Sequence, residues 1–246
     1  MLQGESSQAG TEATARTVPD DTWNQAWPYV VPMVGFLALT SVESYLPTAS
    51  GGVPSPVWYP LFYTFKLLVV MGLAWLCRSA WLDLVPRPGP VLAGVSVLIG
   101  AAVIVAWVGL DGRYPSISWL GQRVAFDPAV IPVVPRIGFL TVRFIGLVLV
   151  VPLIEELFYR SFLLRWIVDP DIRRVPIGTA TLSGLAATTA VFALSHPEWL
   201  PAALTALAWG LLVRQTRSVS ACVISHSAAN LILGIYVLAT GHWRFW

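Results

Sequence analysis

From Pro90 to Leu110 the chain reads PVLAGVSVLIGAAVIVAWVGL, with no charged side chain. Wound as a helix at about 1.5 Å per residue, this stretch is roughly 30 Å long, the thickness of a bilayer's hydrocarbon core. Similar charge-poor stretches run from Trp27 to Leu46, Trp58 to Cys77, about Arg143 to Arg165, Ile177 to Ser195, Leu200 to Val213 and Val219 to Gly241. An eighth forms if the piece around Ile131 dips into the bilayer. Hydrophobic residues make up 56% of the chain and charged residues 11%, too little polar surface to cover a soluble core of this size. The apolar runs are continuous and do not alternate, which excludes a barrel. The expected fold class is therefore all-α, a polytopic helical membrane protein with about 7–8 transmembrane helices.

Three parts are expected along the chain. Residues 1–25, polar and acidic with no basic leader pattern, read as a disordered tail. Residues 26–136 carry the first transmembrane helices and a long Pro- and Trp-containing connection, the place for an extra short helix. Residues 137–246 hold the polar chemistry. Arg16, Arg78, Arg87, Arg160, Arg165, Arg173, Arg174, Arg214 and Arg217 gather on one side of this topology, and Arg113, Arg123, Arg136 and Arg244 on the other. By the positive-inside rule the N-terminus is cytoplasmic and the C-terminus external. The ending GHWRFW reads as an interfacial anchor. Cys77 and Cys222 lie far apart in apolar sequence and read as buried small hydrophobes. The basic residues form no tract of the kind that grips nucleic acid, so no nucleic-acid partner is expected.

In VPLIEELFYR, Glu155 and Glu156 follow a long apolar run, with Arg160 four residues after the second acid. If Arg143 snorkels to the outer surface, Glu155 lies about 18 Å deep. Alternatively, the acids are interfacial charges ending a shorter helix from Ile137 to Ile154. A mid-membrane carboxylate must face a cavity, a partner or both. Glu156 and Arg160 share a helix face at i, i+4; Glu155 has no such neighbour. FALSH places Phe192 one turn before His196, and HSAAN places His226 one turn before Asn230. A helix from Ile177 would carry His196 about 28 Å, well beyond the acids, while the next apolar stretch is too short to cross upright. The two are therefore expected to form a shallow or tilted hairpin whose HPEW turn lies in a wet cavity.

A carboxylate and an imidazole converging on a water can activate it, and a second histidine with an amide can stabilise the oxyanion formed at a peptide carbonyl. There is no G-x-S-x-G elbow, and Ser195 or Ser227 would point away from the adjacent histidine on a helix, which disfavours serine catalysis. No cofactor is expected; two histidines and two glutamates leave zinc as the open alternative, although H-E-x-x-H is absent. A non-catalytic membrane binding or immunity-type protein, or a proton-coupled transporter, could use the same groups.

EELFYR, FALSH and HSAAN together resemble the EExxxR, FxxxH and HxxxN motifs of the CAAX-processing and bacteriocin-processing (Abi) intramembrane endopeptidases, over about Ile137 to Trp246. HPEWLPA and GHWRFW are similar to a bacterial CAAX prenyl protease-related subgroup found with exosortase sorting systems. The resemblance implies Glu155 as the base that activates water, with His196 helping to hold it. It also implies Glu156 and Arg160 as a supporting ion pair, His226 and Asn230 as oxyanion donors, and Phe192 as a packing residue. The implied mechanism needs no bound metal. The implied partners are a protein or peptide substrate in the membrane and the lipid bilayer, with an exosortase-type sorting system as a further one. The implied location is the inner (cytoplasmic) membrane. Residues 1–136, including Glu43 inside a span, match no motif of that family.

Overall fold

A computed structural model describes residues 22–49 and 52–245. The described residues form seven helices: α1 (Thr22–Glu43), α2 (Trp58–Leu76), α3 (Pro90–Leu110), α4 (Val133–Trp166), α5 (Leu182–Leu194), α6 (Trp199–Thr216) and α7 (Val219–Thr240). Each answers to one apolar stretch of the sequence, and five of them (α1 to α4 and α7) are long and apolar enough to cross a membrane. The protein is an all-helical, multi-pass membrane protein. Its first helix opens at Thr22, inside the stretch expected as a tail; residues 1–21 lie outside the described residues.

Helix boundaries follow local chemistry. α3 starts with Pro90 in its first turn, where a missing N–H costs nothing. At α7, the Ser218 side chain accepts from the Ala221 amide, and Gly241 ends the helix at φ 71°. α3 and α7 pack closely: a Cβ on Gly100 would stand 2.2 Å from the Ser225 carbonyl oxygen, so only glycine fits. On the far side of α3, Val91, Leu98 and Val105 are 81%, 70% and 74% exposed. Such a stripe at seven-residue spacing suits lipid and would be costly in water.

α4 departs most from its expected form. It begins at Val133, ten residues before Arg143, so Arg143 does not mark the membrane surface. The Arg143 side chain is buried; its Nη1 donates to the Tyr59 hydroxyl at 2.6 Å, and the guanidinium lies over the rings of Tyr59, Tyr63 and Phe139. The aromatic lining supplies inside the fold what the bilayer surface was expected to supply. Nor does the helix end at Ile154; it continues to Trp166 with both acids in its interior. Arg160, counted among the surface arginines, is fully buried.

Two π-helical turns interrupt α4, Gly146–Val150 and Leu157–Leu163. Pro152 accounts for part of the first. In a π-turn the carbonyl of Leu147 looks to the amide of residue 152, which is a proline without an N–H. Asn230 Nδ2 of α7 supplies the missing donor at 2.8 Å. Gly146 lets Tyr63 of α2 pass against the same turn, since a Cβ there would meet its hydroxyl at 2.4 Å.

α5 is shorter than the stretch from Ile177 suggested. The Thr181 side chain accepts from the Gly184 amide at 3.0 Å and starts the helix only at Leu182. Its 13 residues rise about 20 Å in place of about 28 Å. This lowers the Ser195–Glu198 turn toward the glutamates. The connection from Asp111 to α4 holds two 3₁₀ turns, Ser118–Leu120 and Pro128–Val130, where a short helix was expected. Ile131 beside the second packs with Tyr63, Phe126 and Phe139. The GHWRFW ending also differs from an interfacial anchor: Gly241 turns the chain back, and Phe245 is buried against Val237 and Tyr236. Trp246 lies outside the described residues.

Candidate functional site

Glu155, His196, His226 and Asn230 line one cavity of about 620 Å³. They come from four places: α4, the turn after α5, and two successive turns of α7. The cavity is walled by α1, α2, α3 and α6 as well, so the N-terminal half of the chain completes it.

Glu156 is fully buried behind this wall, with two partners. Arg160 Nε stands 3.3 Å from Oε2, and His226 Nδ1 lies 2.9 Å from Oε1. The arginine was legible at i, i+4; the histidine, 70 residues away, was not. An ionised Glu156 only accepts, so Nδ1 of His226 carries the proton of this bond. The opposite ring nitrogen, Nε2, is left for the cavity. The imidazole is held flat by Trp209, stacked at 4.2 Å between centroids; Trp209 is itself fixed by its Nε1–H donating to Ser225 Oγ at 3.0 Å. The Arg160 guanidinium lies among the rings of Tyr159, Phe192 and Trp209.

His196 is oriented in a parallel way. Its Nδ1 lies 2.8 Å from the Phe192 carbonyl oxygen, which can only accept, so Nδ1 again bears a hydrogen. Phe192 stacks on the imidazole at 4.5 Å, and Trp107 meets it edge-on at 6.0 Å. In the neutral ring Nε2 is then an acceptor for a water O–H.

Ser195 does not point away from His196, contrary to the helical expectation. α5 ends at Leu194, and Ser195 Oγ lies 3.1 Å from His196 Nδ1. The contact still makes no nucleophile–base pair, because Ser195 donates its own proton to the Phe192 carbonyl at 2.7 Å and the facing ring nitrogen is a donor.

Asn230 spends one amide hydrogen on Leu147 O and keeps the other. Replacing it by leucine is expected to cost about 1–3 kcal/mol, because the Leu147 carbonyl loses its donor beside a proline. Thermal unfolding in detergent measures this; a Tm equal to wild type would mean the carbonyl finds another partner. The signal in sequence was Pro152, six residues past the glycine of an apolar run.

Among the described residues no three His, Cys, Asp or Glu side chains are arranged to hold a metal ion.

Residues 137–232 match the family model described as Rce1-like, type II CAAX prenyl endopeptidase Rce1-like. The matched residues include all three motifs, Glu155–Arg160, Phe192–His196 and His226–Asn230. No curated protein and no solved structure matches the chain.

Proposed function

We propose that this membrane protein, whose residues 137–232 match the Rce1-like family model of type II CAAX prenyl endopeptidases, is an intramembrane endopeptidase that cleaves a membrane-associated protein by general-base activation of water. The observation that carries this reading is the grouping of Glu155, His196, His226 and Asn230 on one cavity, two of them with ring tautomers set by Glu156 and Phe192.

Each residue has a task that its contacts allow. Glu155 is on the cavity wall, only 6% exposed; it takes a proton from water as the water attacks the scissile carbonyl, and returns it to the amine nitrogen as the tetrahedral intermediate collapses and the C–N bond breaks. His196 holds that water by accepting its other hydrogen at Nε2. The oxyanion receives the second Nδ2 hydrogen of Asn230. His226 joins as a donor through Nε2 when it carries both protons, a state in which it forms an ion pair with Glu156. Arg160 completes the charge balance behind it. Proteolysis of a co-expressed candidate substrate, compared with Glu155→Gln and His226→Ala, tests the assignment; equal cleavage by all three would overturn it. A binding protein that uses the cavity without chemistry would keep its cellular effect in Glu155→Ala.

The cavity opens on one membrane face. Among the connections its lining includes Ser44, Thr48, Gln122, Arg123, Pro197 and Phe245, all at the end where α1, α3, α5 and α7 finish; none comes from 77–89, 167–181 or 214–218. Those three segments at the opposite end carry Arg78, Arg87, Arg173, Arg174, Arg214 and Arg217, which places them in the cytoplasm. The mouth therefore faces away from the cytoplasm in the inner membrane, and the substrate presents its cleavage site from that side. In right-side-out vesicles Gln122→Cys is expected to react with an impermeant maleimide and Arg87→Cys only after permeabilisation. The reverse pattern would put the mouth in the cytoplasm.

A further inference from the structure

His196 stands in a turn between two helices. α5 ends at Leu194 and α6 starts at Trp199, so Ser195–Glu198 belongs to neither. The imidazole is tied to α5 through its bond to the Phe192 carbonyl and the ring stacked on it. On the α6 side the turn is held from elsewhere in the chain. Glu198 occupies the N-cap position of α6, yet its side chain caps nothing there; both carboxylate oxygens accept from Arg123 Nε, at 2.9 and 3.1 Å. The next residue repeats the pattern. The Trp199 indole N–H donates to the Pro115 carbonyl at 2.9 Å, and its ring meets Tyr114 edge-on at 5.9 Å.

All of these partners belong to one segment, residues 111–132, which lies outside the spans and outside the residues that match the family model. The same segment lines the cavity with Gln122, Arg123 and Val124. Connections longer than about 12–15 residues are usually functional, and this one is docked on the turn that carries His196. Between Glu198 and His196 stands only Pro197, whose ring locks its own φ and restricts the backbone of the residue before it. A shift at Glu198 therefore reaches the imidazole with little slack.

We infer that Arg123 and Glu198 are positioning residues: through them the 111–132 connection braces the turn and fixes where His196 Nε2 stands relative to Glu155. The inference deepens the endopeptidase reading and rests on it for the effect on rate, but the bracing itself can be measured without cleavage. A displacement of about 1 Å at a positioned group costs on the order of 10²-fold in rate. The Arg123 and Glu198 side chains are 35% and 17% exposed, and ion pairs this open contribute little to global stability. Breaking the pair should therefore disturb the turn and leave the fold in place.

Arg123→Gln, Glu198→Gln and the double variant are compared with the unaltered protein in phosphatidylcholine vesicles. Hydrogen exchange of segment 192–202 is read by mass spectrometry, since the amides of Ser195, His196 and Ala202 bond to carbonyls within it. Initial rates on a membrane-reconstituted substrate give kcat and KM. Each single variant is expected to raise exchange in that segment about three-fold, with α7 unchanged. Each should also lower kcat about ten-fold with KM held within about two-fold. Because the two side chains act through one contact, the double variant should fall no further than the singles. Unchanged exchange in both single variants overturns the brace, whatever the activity. A rise that extends through α7 also overturns it, since the pair would then hold the fold as a whole. Unchanged kcat, or a higher KM at constant kcat, removes the positioning role and makes the connection at most a substrate contact. Losses that multiply in the double variant do the same, because the residues would then act separately. Raised exchange confined to the turn, with no cleavage even by the unaltered protein, leaves the brace standing and removes the endopeptidase reading.

Discussion

Glu155→Gln is expected to lower proteolysis by about 10²–10⁴-fold with the fold intact, the range over which a positioned general base contributes. The substitution keeps size and shape and removes a charge from the wall of a cavity in which Glu155 is 6% exposed, so desolvation gives no reason for unfolding. An amide cannot take the water proton. The orienting bonds of His196 to Phe192 O and of His226 to Glu156 do not involve Glu155 and should survive. The measurement is initial rate against a membrane-reconstituted substrate, with the unfolding temperature recorded beside it. A fall in rate of less than ten-fold at unchanged stability would take the base role from Glu155.

Arg160→Met is expected to have the largest effect on stability, a loss of about 3–5 kcal/mol, the range for removing one partner of a buried ion pair. Arg160 and Glu156 are both fully buried, and methionine would leave a carboxylate in the interior with only His226 to answer it. The three rings around the guanidinium would also lose a cation–π partner. Lysine is a poor replacement, because a compact ammonium cannot lie flat among Tyr159, Phe192 and Trp209. Adding Glu156→Gln to Arg160→Met should recover much of the loss, since the carbonyl of glutamine still accepts from His226 while the stranded charge is gone. Thermal unfolding of the single and double variants in detergent reads this directly; a double variant no more stable than Arg160→Met would mean that packing, not charge, dominates the site.

The two predictions separate a doublet that reads as equivalent in sequence. Spacing alone distinguishes Glu156, with Arg160 one turn away, from Glu155, with no neighbour on its own helix. It does not show that Glu156 also fixes a histidine. That bond joins α4 to α7, and nothing in the local pattern of either helix reports on it. Trp209 was hidden for a similar reason: an aromatic in an apolar helix looks like core until the ring beneath it proves to be an imidazole. Arg143 was misplaced because a lone arginine in an apolar run suits a membrane surface equally well. The Tyr59 and Tyr63 side chains brought in by α2 help to accommodate it in the interior.

What the sequence determined by itself is the class and the helices. Seven apolar stretches became seven helices because lipid leaves the backbone no other local way to satisfy its N–H and C=O groups. The pairings Glu156–Arg160, Phe192–His196 and His226–Asn230 were equally readable, being one helical turn apart. The tertiary structure decided what those turns face. The late start of α5 lowers His196, Pro152 and the π-turn bring Arg143 and Glu155 onto one wall, and Asn230 closes the break in α4. Each depends on contacts between helices distant in sequence, where packing and hydrogen bonding, not apolar periodicity, select the arrangement.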